Sequence, residues 1–392
     1  MTALVRNSLI PLLNAIQPQD EPNTGLLIQR GLRVWQESDK QDKKNLIDDV
    51  LTNIKPSELY QLAFDRWLLQ TQQKTAYATV SATLDSRLMT GLALGGTLET
   101  GVTTQHSYGM PMLPGSSVKG AVRAYAEMLF SQKDVDGKVI LEKDAKGVER
   151  TVLDPNMQPI LNILFGADEH ADQPNAGYLI WHDAWLIPSL TKEGKYSTSD
   201  EAKPFVGEIV TVHHQKYYAD KSAKVDALDM ESPIPNQQLA VQGSFYFVIE
   251  GEAQWVTFAK QLLENMLSEF GMGAKGAAGY GYFKDPTANT NLLGMMNKRI
   301  SQLQMTNVSA SDDPHAKLRI FIAGLDEKDL VENLSKNLNK FLKQFDLDRA
   351  NESDCNAVAN IVIDQHSAVV ASWQGQSGNK DKALKFVEKF KS

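Results

Sequence analysis

The segment at residues 109–123 reads Gly-Met-Pro-Met-Leu-Pro-Gly-Ser-Ser-Val-Lys-Gly-Ala-Val-Arg and combines a rigid turn with hydroxyl groups and cations. Its prolines restrict the backbone, and Ser116 or Ser117 can act as the N-cap of a following helix. Lys119 and Arg123 are four residues apart and share the polar face of that helix. Because N–H groups at a helix N-terminus attract anions, the segment predicts a phosphate-binding site.

The surrounding sequence is cationic and argues against one class of anion site, the nucleotide-hydrolysing P-loop. No Asp or Glu occurs from residue 101 to residue 126. A nucleotide-hydrolysing P-loop places Ser or Thr after Gly-Lys, whereas here the serines precede Lys119 and Gly120 follows it. This order argues against an NTPase. A proline-containing turn that only caps a core helix remains an alternative interpretation.

A second glycine cluster, at residues 271–284, reads Gly-Met-Gly-Ala-Lys-Gly-Ala-Ala-Gly-Tyr-Gly-Tyr-Phe-Lys. It contains Gly-x-Gly-x-x-Gly, but a dinucleotide fold needs a strand before that motif and a helix after it. Here residues 255–270 have helical periodicity and residues 280–283 are aromatic and typical of a strand. We therefore predict a flexible loop around Lys275 whose backbone can approach a polymer closely. A glycine-rich β-hairpin is the alternative.

Together, Leu-Pro-Gly-Ser-Ser-x-Lys-Gly and Gly-x-Gly-x-Lys-x-x-x-Gly-Tyr-Gly-x-Phe resemble motifs of the RAMP superfamily of CRISPR RNA-binding proteins. Other segments occur in the order seen in subunit six of the type III-B (Cmr) effector complex, and the resemblance covers residues 20–285. Those segments are Asn23-Thr-Gly25, Arg87-Leu-Met-Thr-Gly-Leu92, Glu99-Thr-Gly101, Tyr108-Gly109, Phe165-Gly166, Asp183-Ala184 and His213-His214-Gln-Lys-Tyr-Tyr218.

The resemblance implies a ferredoxin-like (RRM-like) RAMP core. Together with the helical patterns at both ends of the chain, it leads us to expect an α+β fold with helical N- and C-terminal extensions. It also implies a non-catalytic RNA-binding subunit that holds the 3′ end region of the crRNA and caps the backbone filament in antiviral defence. The expected partners are crRNA, target RNA and other Cmr or RAMP subunits, with no cofactor, metal or membrane. The predicted RNA-binding residues are His106, Gly115, Ser116, Ser117, Lys119, Arg123, His214, Lys216, Tyr217, Gly271, Gly273, Lys275 and Gly276.

The histidines leave a catalytic alternative open. Histidine with lysine can cleave RNA by general acid–base chemistry without metal, so a RAMP endoribonuclease that processes or cleaves RNA is the alternative function. Adjacent His213 and His214 point apart in an extended segment, which disfavours a metal site. The neighbouring Tyr217 and Tyr218 favour stacking on bases, and we expect no catalytic residue. A phosphate-binding metabolic protein is a more distant alternative.

Composition sets the broad class of the protein. The chain has 392 residues, 42% of them apolar, which is enough for a large core and two or three domains. Its single cysteine, Cys355, excludes an intrachain disulfide framework. The N-terminus lacks a long apolar stretch, so we expect a cytoplasmic protein. The net charge of −8 means that any RNA contact must lie in a locally cationic groove.

Three regions are predicted to position these motifs. Residues 1–75 read as helices that pack on the core, residues 76–286 as the α+β core, and residues 287–392 as a helical extension. Within the core, Phe245, Phe247 and Ile249 alternate as in a strand. A hairpin is expected as an insertion after the first core helix. The extension carries an apolar stripe from residue 330 to 345 and ends in a short basic amphipathic helix.

Overall fold

The structure is a computed structural model that describes residues 2–17, 20–35, 41–73, 75–92, 100–143, 147, 149–167, 174–199, 202–212, 217, 226, 234–307 and 315–391. The chain forms two compact units. The first comprises Met1–Phe64, Gln70–Ser189 and Thr198–Asn289, and the second comprises Asp65–Leu69, Leu190–Ser197 and Thr290–Ser392. The domain boundaries predicted after residues 75 and 286 stay predictions.

Helices and strands alternate through the first unit, and helices fill the second. The helices are α1 (Ile10–Asn14), α2 (Thr24–Arg30), α3 (Gln41–Asn53), α4 (Glu58–Gln70), α5 (Gly115–Leu129), α6 (Gln158–Phe165), α7 (Ala253–Glu269), α8 (Thr290–Asn307), α9 (Ala316–Ala323), α10 (Glu327–Ser335), α11 (Leu338–Lys343), α12 (Glu352–Ala371) and α13 (Asn379–Phe390). The strands are β1 (Thr2–Ala3), β2 (Val34–Trp35), β3 (Tyr77–Thr83), β4 (Met112–Leu113), β5 (Leu141–Lys143), β6 (Glu149–Thr151), β7 (Gly166–Ala167), β8 (Asn175–Ala176), β9 (Ile180–Trp181), β10 (Ala184–Ile187), β11 (Phe205–Val212), β12 (Ile234–Val241) and β13 (Ser244–Glu250).

An antiparallel sheet with the strand order β3-β13-β10-β4 organises the first unit. A bridge between Leu84 and Phe283 continues pairing beyond β3 at the opposite edge. With α5 between β3 and β10, and α7 after β13, the elements follow the β-α-β-β-α-β order of a ferredoxin-like fold. The predicted α+β class with helical terminal regions is confirmed.

The central strand β13 is covered on both faces. Phe245, Phe247 and Ile249 are buried in the main core, as their alternation predicts. On the other face, the ring of Tyr246 meets that of Phe64 edge to face, with centroids 5.8 Å apart. A sheet buried on both faces is a rigid support for the loops at its ends.

Two hairpins extend from this core. The predicted inserted hairpin is confirmed as β5 paired with β6, and both strands are largely exposed. The longer hairpin pairs β11 with β12 from Phe205–Val241 to Val212–Ile234. Its base is anchored in the core by Phe205, Leu239 and Val241. The chain between its strands contains the predicted His-His-Gln-Lys-Tyr segment.

The second unit has its own apolar core, in which Trp373 is fully buried. The stripe predicted from residue 330 to 345 packs in this core, but it is divided between α10 and α11 rather than forming one helix, and its last residue, Phe345, follows α11 and is partly buried. The predicted basic helix is confirmed as α13, which buries Ala383, Phe386 and Val387.

Candidate nucleic-acid interface

The N-terminus of α5 is capped by a residue that lies outside the first motif. Pro114 occupies the N-cap position without a side-chain cap, so the prediction that Ser116 or Ser117 caps the helix is wrong. Asp183 supplies the acceptor instead, because its Oδ1 receives the N–H of Gly115 at 2.7 Å. The two serines are exposed in the first turn. A carboxylate therefore already faces the predicted phosphate site.

Close packing explains why residue 115 is glycine. A Cβ atom at Gly115 would lie 2.0 Å from the carbonyl oxygen of Trp181. Real Cβ atoms do not approach backbone oxygen this closely, so any side chain here displaces either α5 or β9. The glycine at this turn therefore serves the contact between helix and sheet.

The two cations of α5 lie on its partly exposed face, opposite the buried Val118, Val122 and Tyr125. Arg123 is engaged within the helix, because its Nε donates to Glu127 Oε1 at 2.7 Å. Lys119 lies one turn earlier and is partly exposed. Of the two predicted phosphate-binding cations, Lys119 is thus the one not held by this i,i+4 ion pair.

The second motif forms a compact loop closed by its own backbone. The N–H of Met272 donates to the carbonyl of Gly281 at 2.9 Å, and Gly281 donates to the carbonyl of Arg87 at 2.8 Å. Ala274 donates to the carbonyl of Met89 at 2.8 Å. A 3₁₀ turn at Gly276–Ala278 forms the middle of the loop. The loop thus pairs with the segment after β3 rather than forming the alternative β-hairpin.

Glycines at the two ends of the loop are required by backbone crowding. Gly271 and Gly281 have φ values of +68° and +81°, and a Cβ at Gly281 would lie 1.8 Å from the carbonyl oxygen of Met272. A Cβ at Gly273, where φ is +93°, would lie 2.6 Å from the carbonyl oxygen of Met89. These positions use the freedom of glycine to pack the loop on its own protein.

The tip of the loop is different, because it is open. Lys275 is exposed and adopts a left-handed conformation with φ of 62°. Apart from the glycine's own chain neighbours, no atom of the described residues lies within 4 Å of the position that a Cβ would take at Gly276. A ligand can therefore approach the backbone at Gly276. The preceding residue, Lys275, provides a positive charge at the same loop tip.

One acidic residue missed by the sequence analysis borders the loop. Glu208, on β11, forms an ion pair with Arg87 and accepts a hydrogen bond from the hydroxyl of Tyr280 at 3.1 Å. These contacts join the loop to the base of the β11–β12 hairpin. No signal in the motif itself identifies Glu208, because it precedes Tyr280 by 72 residues.

Tyr125 connects the two motifs. Its hydroxyl donates to Glu269 Oε2 at 2.9 Å, and its ring lies edge to face with Phe270, centroids 5.4 Å apart. Desolvation, followed by the nearby Glu269 carboxylate, raises the pKa of the Tyr125 hydroxyl. Since Phe270 directly precedes Gly271, α5 is held against the start of the glycine loop.

Of the remaining predicted residues, the structure describes His106 and Tyr217. The side chain of His106 is exposed, and its carbonyl accepts a hydrogen bond from Asn23 Nδ2 at 2.9 Å. Tyr217 lies between β11 and β12 in the chain and is 47% exposed. His214 and Lys216 lie outside the described residues. In the described part of the chain, no group of three or more His, Cys, Asp or Glu could hold a metal ion.

Comparison with known proteins gives the family. The sequence model of the RAMP superfamily matches residues 81–284, a stretch that contains both glycine motifs and the central sheet from Ser81 in β3 onward. The match covers more than half of the chain. The protein therefore belongs to the RAMP superfamily. It has no match among curated proteins.

Several solved structures resemble the fold at low identity. A chain of the type III-B Cmr-beta complex bound to cognate target RNA is 19% identical, with a TM-score of 0.42, over 64% of this chain and 76% of that one. Cmr6 from Pyrococcus furiosus is 23% identical, with a TM-score of 0.31, over 53% of this chain and 97% of that one. A chain of a type IV-B CRISPR complex is 15% identical, with a TM-score of 0.32, over 53% and 88%. None of the helices described here is long and apolar enough to cross a membrane.

Proposed function

We propose that this protein is a non-catalytic RNA-binding subunit of a type III-B CRISPR effector complex. In that role it holds the 3′ end region of the crRNA, caps the backbone filament, and contacts target RNA and other Cmr or RAMP subunits in the cytoplasm. The observation that carries the proposal is the glycine loop, within the RAMP match, whose open tip presents Lys275 beside Gly276.

The loop tip suits phosphate rather than base recognition. An unobstructed backbone at Gly276 lets an N–H group approach a phosphate oxygen, and Lys275 adds the charge that favours it. Lys119 of α5 provides a second, partly exposed cation. Contacts of this kind are independent of base identity, so the protein accepts any guide sequence.

Neutralising the two lysines tests this assignment. We expect Lys119→Ala combined with Lys275→Ala to weaken binding of a labelled repeat-sequence RNA by the full-length chain. The slope of log K against log salt should become shallower by about 0.7 for each lost contact. The matched control is Lys133→Ala with Lys138→Ala, two exposed lysines near the inserted hairpin. Equal affinity and slope in both double variants would contradict the assignment.

We also propose that the protein does not cleave RNA. We expect the labelled RNA to remain at full length during incubation with the purified protein, both with and without EDTA. Cleavage that persists in EDTA would instead favour the alternative endoribonuclease, which uses histidine general acid–base chemistry. In that case His106→Ala and His214→Ala would identify the group responsible.

A further inference from the structure

The second unit contains a cleft that the RAMP match does not reach. It has a volume of about 630 Å³ and is formed by residues of α10, α11 and α13 and of the connection before α12. Six of its lining residues are cationic, and none of the described lining residues is acidic. The cations are Lys336, Lys340, Arg349, Lys382, Lys385 and Lys389.

This concentration of charge contrasts with the chain as a whole, whose net charge is −8. Lys385 is paired with Asp381 at 2.8 Å, a residue outside the cleft lining, and Lys389 lies over the ring of Phe390 at 4.9 Å. Like charges that line one cavity repel each other, and an anion in the cavity relieves that repulsion. The cleft is therefore electrostatically matched to a polyanion.

The arrangement of the lysines indicates a polymer rather than a single anion. Lys382, Lys385 and Lys389 follow the i, i+3, i+7 spacing of one helical face. At 1.5 Å per residue they extend over about 10 Å of α13, more than one phosphate group can contact. Lys336 and Lys340 add a second row from the end of α10 and from α11.

We propose that this cleft binds the phosphate backbone of single-stranded RNA. The choice of RNA over an acidic protein segment rests on the aromatic end of the cleft. Phe390 lines it and is only partly buried, in ring contact with Phe386 at 5.2 Å. An aromatic ring beside a cationic row is the arrangement that accepts a stacked base next to bound phosphates. The buried hydroxyl of Ser335, which lacks a hydrogen-bond partner among the described residues, adds a polar group.

The proposed cleft site goes beyond the proposed function, because it assigns a second RNA contact to a different unit.

Deleting α13 would not separate loss of RNA binding from loss of folding. That helix buries Ala383, Phe386 and Val387 in the core of the second unit, so its loss would unfold the unit itself. Substitutions must therefore change charge at exposed positions only.

The test compares two triple variants of the full-length chain. The cleft variant is Lys336→Gln, Lys340→Gln and Lys382→Gln, all exposed residues. The control is Lys317→Gln, Lys328→Gln and Lys343→Gln, which removes the same charge from exposed positions of the same unit that do not line the cleft. A fluorescent uridine homopolymer is the probe, and its anisotropy is followed across a salt series.

We expect the cleft variant to lose about fivefold in affinity per phosphate contact at about 0.1 M salt, and the salt slope to flatten by about 2 in total. The control should stay within about twofold of the parent chain. An arginine version of the cleft variant, which keeps the charge, should restore binding. This rescue separates loss of charge from damage to the fold.

Two results would overturn the proposal. One is a cleft variant that binds the RNA with the same affinity and slope as the control. The other is tighter, cleft-dependent binding of a labelled polyglutamate peptide than of the RNA, which would make an acidic protein segment the occupant. The double variant Lys119→Ala with Lys275→Ala is assayed with the same probe. Because it leaves the cleft lysines unchanged, its affinity reports separately on the glycine-loop site.

Discussion

The two glycine motifs of this protein use similar residues for different purposes. In the first, the carbonyl of Trp181 fills the space beside Gly115, and the carboxylate of Asp183 takes its N–H. In the second, the glycines at both ends are packed in the same internal way, but the tip at Gly276 faces open space. The difference shows that a glycine-rich motif indicates close backbone approach without saying what approaches. The neighbouring atoms decide whether that partner is the protein or a ligand.

The two motifs also differ in how nearby carboxylates engage their polar groups. The first motif is free of carboxylates in sequence, yet Asp183 and Glu127 each engage one of its groups. At the second, Glu208 contacts Tyr280 at the side of the loop, and Lys275 at the tip is exposed. The second motif therefore presents the more available cation.

The largest expected effect is the loss of stability when glycines of the second motif are replaced by alanine. We expect Gly281→Ala to lower the free energy of unfolding by about 3 kcal/mol, because it combines left-handed strain with a backbone clash. Gly279→Ala shares the strain, with φ of +90°, but its Cβ would meet no described atom within 4 Å beyond the chain neighbours, and it should cost about 1 kcal/mol. Gly276→Ala should change stability by less than about 0.5 kcal/mol. Urea unfolding measures all three variants.

The ranking of the three stability losses distinguishes the packed ends of the loop from its open tip. Equal losses for Gly281→Ala and Gly279→Ala would mean that the contact with Met272 relaxes and that only backbone strain matters. A large loss for Gly276→Ala would mean that the tip is packed rather than open. Either result would remove the distinction between the ends of the loop and its tip.

A smaller effect is expected at the N-terminus of α5. Asp183→Ala removes the acceptor for the Gly115 N–H and should lower the free energy of unfolding by about 1 kcal/mol. Asp183→Asn keeps an acceptor but loses the negative charge at the helix N-terminus, and should cost about 0.5 kcal/mol. Urea unfolding with the two variants side by side separates hydrogen bonding from charge. Unchanged stability in both would show that the helix does not depend on this cap.

The same pair of variants examines the first motif as an RNA site. We expect the RNA affinity of Asp183→Asn to equal that of the parent chain, because the Gly115 N–H remains occupied. A clear gain in affinity would mean that a phosphate approaches this helix end and is repelled by the native carboxylate. That outcome would mean that the first motif, like the second, is part of the RNA-binding surface.

Local sequence patterns predicted much of the fold. The alternation of Phe245, Phe247 and Ile249 and the periodicity before Gly271 each report a local preference that tertiary packing did not override. The division of the apolar stripe between α10 and α11 was not predicted, since the break falls at residues whose pattern still continues. Periodicity indicates which side chains are buried but not where a helix ends.

The contacts of the candidate site were less predictable, for a physical reason. Asp183 reaches Gly115 across 68 residues, and Glu208 reaches Tyr280 across 72. Neither acid lies in either glycine motif, and a carboxylate at such a distance in sequence acts only after the sheet has formed. The absence of acids within a motif therefore does not establish a cationic surface around it.

The smallest effect concerns the ion pair of α5. An exposed i,i+4 pair contributes about 0.3–0.5 kcal/mol, and Arg123 must give up this interaction with Glu127 to bind a phosphate. We expect Glu127→Gln to raise RNA affinity by about twofold, in a fluorescence anisotropy titration at low salt. The matched control is Glu264→Gln, which removes the acid of the i,i+4 pair with Lys260 on α7. If both variants bind RNA equally, Arg123 does not contact RNA. The first motif would then contribute only Lys119, and the contrast with the open tip of the second would be sharper still.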